Sequence, residues 1–252
     1  MKYFFTNFLL ILFVVGCSTD KEIKSLTNGQ SPLQMYELSK ELFASGERDG
    51  AIKTLENLQA AYPSSKFAMQ AKLDIAYNLF NSDKFDESID ILNDFIKLYP
   101  NELVAPYAFY LRGLASEKKS HSILDKFITD HAQRDVSTVV DALNFYVDLI
   151  KKFPNSEYSV EAKEKLISLR NTLARHELFV AIFYTKKEAY IASINRCKFI
   201  IVKYPESPSV PAALHLMAYN YDKIDSPKLA MDARRVLSSS YPKYTPHYSL
   251  EN

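Results

Sequence analysis

Along most of this chain, small residues sit at fixed offsets inside stretches whose apolar positions follow a helical spacing. In the first such stretch Ser39, Ala51 and Pro63 stand twelve residues apart. The same three roles recur as Ala76, Ser88 and Pro100; Gly113, Ala142 and Pro154; Ala181, Ser193 and Pro205; and Ala218, Ala230 and Pro242. Apolar residues keep step: Leu38, Ile75, Val180 and Met217 precede the first small residue, and Leu55, Leu92, Tyr146 and Cys197 follow the second by four. A small residue on each of two helices lets the pair approach closely. Apolar neighbours fill the seam, and a proline, which cannot continue a helix, stops the second helix. The pattern predicts an all-α fold of five helix-turn-helix units. Gly46 falls between the helices of the first unit, where a tight turn needs a positive φ that glycine adopts without steric cost.

The register is that of a tetratricopeptide (TPR) array, degenerate but consistently phased, and predicts a superhelix of five repeats over residues 32–242. Ser31 before Pro32 opens the first helix, serine as N-cap and proline at the first helical position. Helices are expected near 33–45, 49–61, 66–81 and 85–98. In the third repeat Gly113 and Ala142 are 29 residues apart instead of 12, which places an insert at about 118–135. In the fourth, Pro154 to Ala181 covers 27 residues against 13 elsewhere, with no proline or glycine before Lys186. One long helix, about 156–184, is expected there, too long to be covered by its hairpin partner alone and placed to brace the two halves of the array. The tail, 243–252, carries Pro246 and polar residues and is expected to be loose.

The amino terminus changes the picture of where the array sits. Lys2, an apolar run from Phe8 to Val15 and then Gly16 form a leader over 1–16, too short to span a bilayer comfortably and ending in a small residue suited to cleavage. Val14-Val15-Gly16-Cys17 resembles a bacterial lipobox, in which Cys17 takes a diacylglyceryl group and, after cleavage, an acyl chain such as palmitate on its amine. The alternative is an ordinary secretory leader with an incidental cysteine. Several acyl chains, at about 0.8 kcal/mol per buried CH2, give stable anchoring. Ser18 follows, where the resemblance associates aspartate with inner-membrane retention, so the outer membrane is expected. Residues 17–31 are polar and read as a lipidated amino terminus and flexible tether.

Composition removes several function classes. With 252 residues and 47% hydrophobic content the chain can bury a sizeable core. A net charge of +1, with cations and anions interspersed, offers no field to hold nucleic acid. The five glycines are too scattered for a phosphate loop, the histidines form no HExxH pair, and no serine sits in a GxSxG elbow. The insert contains His121, Asp125, Asp130, His131 and Arg134, but the histidine spacing fits no metal-ligand pattern, and the segment reads as a partner-touching loop. No catalytic residue, metal or cofactor is expected. Cys197, left without a disulfide partner once Cys17 is lipidated, has the phase of Leu55 and Leu92 and is expected in the helix seam.

The same phasing assigns a concave face. It carries Tyr36, Lys40 and Phe43 in the first repeat, Leu73, Tyr77 and Phe80 in the second, and Tyr107, Tyr110 and Leu114 in the third. Aromatics in a groove suit peptides with aromatic and aliphatic anchors, although some of these residues would instead pack between repeats. The lipobox, tether, five repeats, third-repeat insert and long helix, together with Tyr107-Ala108-Phe109-Tyr110-Leu111-Arg112-Gly113-Leu114, Gln133-Arg134-Asp135, Phe153-Pro154-Asn155-Ser156-Glu157-Tyr158, Phe183-Tyr184-Thr185 and Ile194-Asn195-Arg196, resemble the BamD family of outer-membrane lipoproteins. The resemblance implies a non-catalytic scaffold of the β-barrel assembly (BAM) complex on the periplasmic face of the outer membrane. It implies that the amino-terminal repeats receive unfolded outer-membrane proteins and that the carboxy-terminal repeats hold a POTRA domain of BamA, with other BAM lipoproteins as further partners. Arg196 matches an arginine of that carboxy-terminal region, and Tyr184 lies in a matching motif. Two rivals remain: a TPR lipoprotein adaptor for peptidoglycan or cell-division enzymes, and a periplasmic hydrolase on a helical scaffold, for which a nucleophile motif is missing.

Overall fold

The computed structural model describes residues 29–119, 136–248 and 250. The leader, Cys17, the tether up to residue 28, positions 120–135 of the insert and the Gln133-Arg134-Asp135 motif lie outside the described residues. Among these there are ten α-helices and no strands: α1 (Pro32–Ser45), α2 (Arg48–Ala61), α3 (Lys66–Asn81), α4 (Phe85–Leu98), α5 (Ala105–Lys119), α6 (Ser137–Lys152), α7 (Glu157–Lys186), α8 (Tyr190–Lys203), α9 (Val210–Lys223) and α10 (Pro227–Ser240). They pair in sequence as five antiparallel hairpins, an all-α repeat architecture.

All ten small positions are buried. Ser88 Oγ even donates to the carbonyl of Ala76 at 2.8 Å, so the two small residues of that hairpin touch directly. Gly113 is the tightest case. A Cβ there would lie 2.5 Å from Cε1 of the fully buried Tyr146. Leu55, Leu92, Tyr146 and Cys197, one turn beyond the second small residue, are all sealed from solvent, and burial of each leucine is worth about 1.5–3 kcal/mol.

Every second helix stops two residues before its proline, and each stop has the same chemistry. The capping residues Tyr62, Tyr99, Phe153, Tyr204 and Tyr241 have φ between −126° and −136° and ψ between 52° and 61°. A residue before proline is driven out of the helical region by the proline ring, so the stop is written into the aromatic-proline pair. The chain then turns: the N–H groups of Ser65, Ser156, Ser207 and Tyr244 donate to the carbonyls of Tyr62, Phe153, Tyr204 and Tyr241. Ser31 caps α1 with a reciprocal box, its Oγ accepting from Gln34 N and its N–H donating to Gln34 Oε1.

The turns inside the hairpins also repeat. Gly46 has φ 87° and ends α1 in the left-handed conformation. Seven residues beyond the first small position of repeats two, four and five, the same conformation is taken by Asp83, Glu188 and Asp225 at φ 58°, 59° and 54°. The N–H groups of Glu47, Lys84, Ala189 and Ser226 close each turn onto Leu42, Leu79, Tyr184 and Tyr221, the six-to-one bond of the Schellman motif.

The chain divides into two compact units, up to Ala108 and from Phe109. In the first, Met35, Leu55, Leu58, Ala68, Ala71, Ile75 and Leu79 form the core, and α3 packs against both α2 and α4. In the second, α7 runs for 30 residues, close to the expected length. It meets α6, α8 and α9. Lys165 of α7 reaches Glu117 of α5 at 2.9 Å, and Glu117 also accepts from Tyr146 at 2.8 Å. Thr185, Ser193 and Asn220 form a buried polar knot joining α7, α8 and α9, with Asn220 Nδ2 donating to Ser193 Oγ at 2.8 Å and to Thr185 Oγ1 at 3.0 Å. The tail departs from the expectation of looseness. Tyr248 and Leu250 pack on the cluster of Ala174, Ala181, Cys197, Ile200, Val210, Ala213, Leu214 and Leu216, and burial of these two large side chains outweighs the polar character of the segment.

Candidate functional site

On the first unit, α1 and α3 lie side by side and present the face expected to meet peptides. Tyr36 Oη donates to Asp74 Oδ2 at 2.8 Å, while Gln70 Nε2 donates to Asp74 Oδ1 at the same distance. Burial and the Asp74 carboxylate push the Tyr36 phenol well above its usual range, so it stays a neutral donor. Its ring stacks at 5.5 Å on Phe67, and Lys40 Nζ lies 5.7 Å from its centroid while pairing with Glu37 at 3.2 Å. Tyr77 is 45% exposed, the most open aromatic of the expected set. Phe43 and Phe80 are half-buried, Phe80 edge-on to Phe85. Tyr107 is half-buried on α5. Leu73 corrects the expectation: at 3% exposure it belongs to the interior, since α3 is contacted on two sides.

Tyr110, in the second unit, is engaged from three directions. Its Oη donates to Glu161 Oε2 of α7 at 2.6 Å, and its ring lies 6.0 Å from Tyr146 and 5.4 Å from Tyr158. Arg112 stacks on Phe145 at 4.1 Å and Phe109 at 5.2 Å and pairs with Asp148 at 3.7 Å. Tyr110 therefore seats α7, while Arg112 ties α5 to α6.

Farther along the second unit, Arg196 is exposed and its Nη1 meets Glu177 Oε2 at 2.9 Å. Tyr184 lies two turns beyond Glu177 on the same helix and lines an open hollow with His176, Phe179, Val180 and Lys186. Phe183, 56% exposed and 5.8 Å from the Tyr184 ring, adds an apolar surface. The arrangement is a charged pair beside aromatics, suited to protein contact. Among the described residues no group of His, Cys, Asp or Glu is placed to hold a metal, and no helix is long and apolar enough to cross a membrane.

A sequence profile of the YfiO family, described as an outer membrane lipoprotein, matches residues 28–236. The chain belongs to the YfiO family. The outer membrane protein assembly factor BamD of Neisseria gonorrhoeae is 33% identical over 248 residues, covering 96% of this chain and 92% of that protein. BamD of Xylella fastidiosa strain Temecula1 is 30% identical over 234 residues, covering 92% and 80%. A tetratricopeptide repeat protein of known structure from Parabacteroides merdae is 14% identical, with a TM-score of 0.39 and coverage of 86% and 82%.

Two members of these faces in this YfiO-family chain escaped the sequence reading. Asp74, which fixes Tyr36, stands 38 residues away, one repeat on. Glu177 could have been found from hairpin arithmetic: it lies four before Ala181, and Arg196 lies three after Ser193, which is antiparallel pairing about the small-residue contact.

Proposed function

We propose that this chain is the assembly-factor lipoprotein of an outer-membrane β-barrel assembly complex. It acts as a non-catalytic scaffold, anchored through acylated Cys17 on the periplasmic face, that holds a POTRA domain of BamA and receives unfolded barrel proteins. The observation that supports this best is the near full-length similarity to relatives named outer membrane protein assembly factor BamD. The near-neutral charge and aromatic-bearing helix faces agree with protein partners and give no support for nucleic acid. On this reading Arg196 and Tyr184 serve the BamA contact, and the first-unit face around Tyr36 and Tyr77 serves unfolded clients.

The experiment is a pull-down of the tagged chain from detergent-solubilised envelopes, with Cys17→Ala as a companion. BamA and other BAM lipoproteins should co-purify, and the Cys17→Ala chain should leave the outer-membrane fraction. Recovery of peptidoglycan or cell-division enzymes without BamA would replace this reading with the adaptor one. Unchanged membrane partition of the variant would remove the lipid anchor.

A further inference from the structure

The connector after α10 begins like those between repeats, with Tyr241, Pro242 and a bond from Tyr244 N to Tyr241 O at 3.0 Å. In earlier repeats this turn feeds the next helix; here Pro246, which lacks an N–H, follows, and residues 244–247 form no helix. The segment is instead held by side chains. Tyr248 Oη lies 2.8 Å from His215 Nδ1 and donates to the Ala212 carbonyl at 3.3 Å. The His215 ring sits 6.2 Å from Tyr244 and 5.9 Å from Tyr248. Tyr248 and Leu250 pack against the apolar cluster that contains Cys197, Ile200, Val210 and Leu214.

We propose that Tyr244, Tyr248 and Leu250 are a displaceable plug in a peptide-docking groove formed by α7, α8 and α9, and that the groove accepts a segment bearing a tyrosine followed two positions later by an aliphatic residue. The chemistry of the groove sets that preference. The Ala212 carbonyl accepts from the phenol, whose oxygen also faces His215 Nδ1, and the apolar cluster takes the aliphatic side chain. Burial raises the Tyr248 phenol, with Tyr244 and Cys197 adding to it, so the hydroxyl stays a donor and sits within the electrostatic reach of Cys197. This inference stands apart from the proposed function, since neither Cys17, Arg196 nor the first-unit face enters it.

Cys197 supplies the readout. With Cys17→Ser in the full-length chain it is the only thiol. Ending that chain at Lys243 should speed labelling of native Cys197 about fivefold, because its cover is gone. A synthetic peptide of residues 243–252 should bind the shortened chain and restore protection. The same peptide with alanine at the Tyr248 position should bind about tenfold more weakly, the loss typical of a buried aromatic anchor. The intact chain should bind the parent peptide about tenfold more weakly than the shortened one, because its own tail competes. A shortened chain of unchanged helicity that binds no peptide, or binds it without slowing the labelling of Cys197, would overturn the proposal. Should shortening melt the helices, full-length Tyr248→Ala takes its place, and the proposal falls if that variant neither exposes Cys197 nor takes up the peptide.

Discussion

Replacing Gly113 by alanine sets two effects of opposite sign against each other. Gly113 lies within α5, where alanine is favoured by about 0.5–1 kcal/mol on backbone grounds. Packing opposes this. The new Cβ would stand 2.5, 2.7 and 3.0 Å from Cε1, Cδ1 and Cζ of Tyr146, all well inside van der Waals contact. The ring cannot swing away, because Tyr146 is fully buried and its hydroxyl is tied to Glu117, which Lys165 holds in turn. Overpacking of this kind costs about 1–3 kcal/mol, so the net expectation is a destabilisation of about 0.5–2 kcal/mol. Urea unfolding followed by circular dichroism on parent and variant measures it, with the midpoint preferred to an extrapolated energy because repeat arrays need not unfold in two states. Tyr146→Leu removes the ring, so the double variant should lose less than the sum of the two single losses. A Gly113→Ala chain as stable as the parent or more so would show that the α5–α6 approach is looser than described and that the glycine has no packing role.

Glu188→Gly should stabilise the chain by about 0.5–1 kcal/mol, because a left-handed glutamate costs more than the extra freedom glycine gains in the unfolded state. Asp83→Gly and Asp225→Gly should gain less, since aspartate tolerates that conformation better, and thermal melts rank the three. Burial pushes the Cys197 thiol up to about 12, so thiol reagents at pH 8 should label it slowly in the native chain and rapidly in denaturant; fast native labelling would contradict the seam. Arg196→Glu should weaken BamA binding and, by facing Glu177, lower stability by about 1 kcal/mol, while the swap with Glu177→Arg should recover stability but not binding. Recovery of both would make the pair a structural brace. Burial, and then the Arg234 charge, lower the folded His215 value below the ordinary 6.5, so the unfolded chain binds more protons there. The resulting stability is complete above 6.5 and lost as pH falls toward the folded value, and His215→Gln should flatten the stability profile between pH 7 and 5.

The repeat register was legible because three residue properties, small size, apolarity and inability to continue a helix, fall at constant offsets, and each has one physical use in a hairpin. Helix ends were legible for the same reason: a residue before proline has few conformations open to it. The turns were half legible. Gly46 announced itself by residue type, whereas Asp83, Glu188 and Asp225 take the same left-handed conformation with side chains that do not advertise it. There the offset of seven from the small residue was the better signal. The tail was misread because it has no helical period. Its order comes from Tyr244, Tyr248 and Leu250 meeting surfaces more than 25 residues away, at His215 and around Cys197.

The candidate faces were the least legible part, and Tyr77, Leu73 and Tyr110 show why. All three sit on first helices in phases assigned to one face, and each is a large apolar side chain. Yet Tyr77 is open to solvent and Leu73 is sealed, while Tyr110 is spent on Glu161 and two other tyrosines. Phase fixes the direction in which a side chain leaves its own helix, but exposure depends on what the next hairpin places in that direction. For Tyr110 the deciding residue, Glu161, lies 51 positions later, on a helix whose length is itself the exception to the repeat. Tyr110→Ala should therefore lower the urea midpoint by loosening the seat of α7, whereas Tyr77→Ala should leave it unchanged and weaken client-peptide binding by about 1–2 kcal/mol. Equal loss of stability in both variants would mean that Tyr77 is also a brace and that the first-unit face does not end in an aromatic anchor.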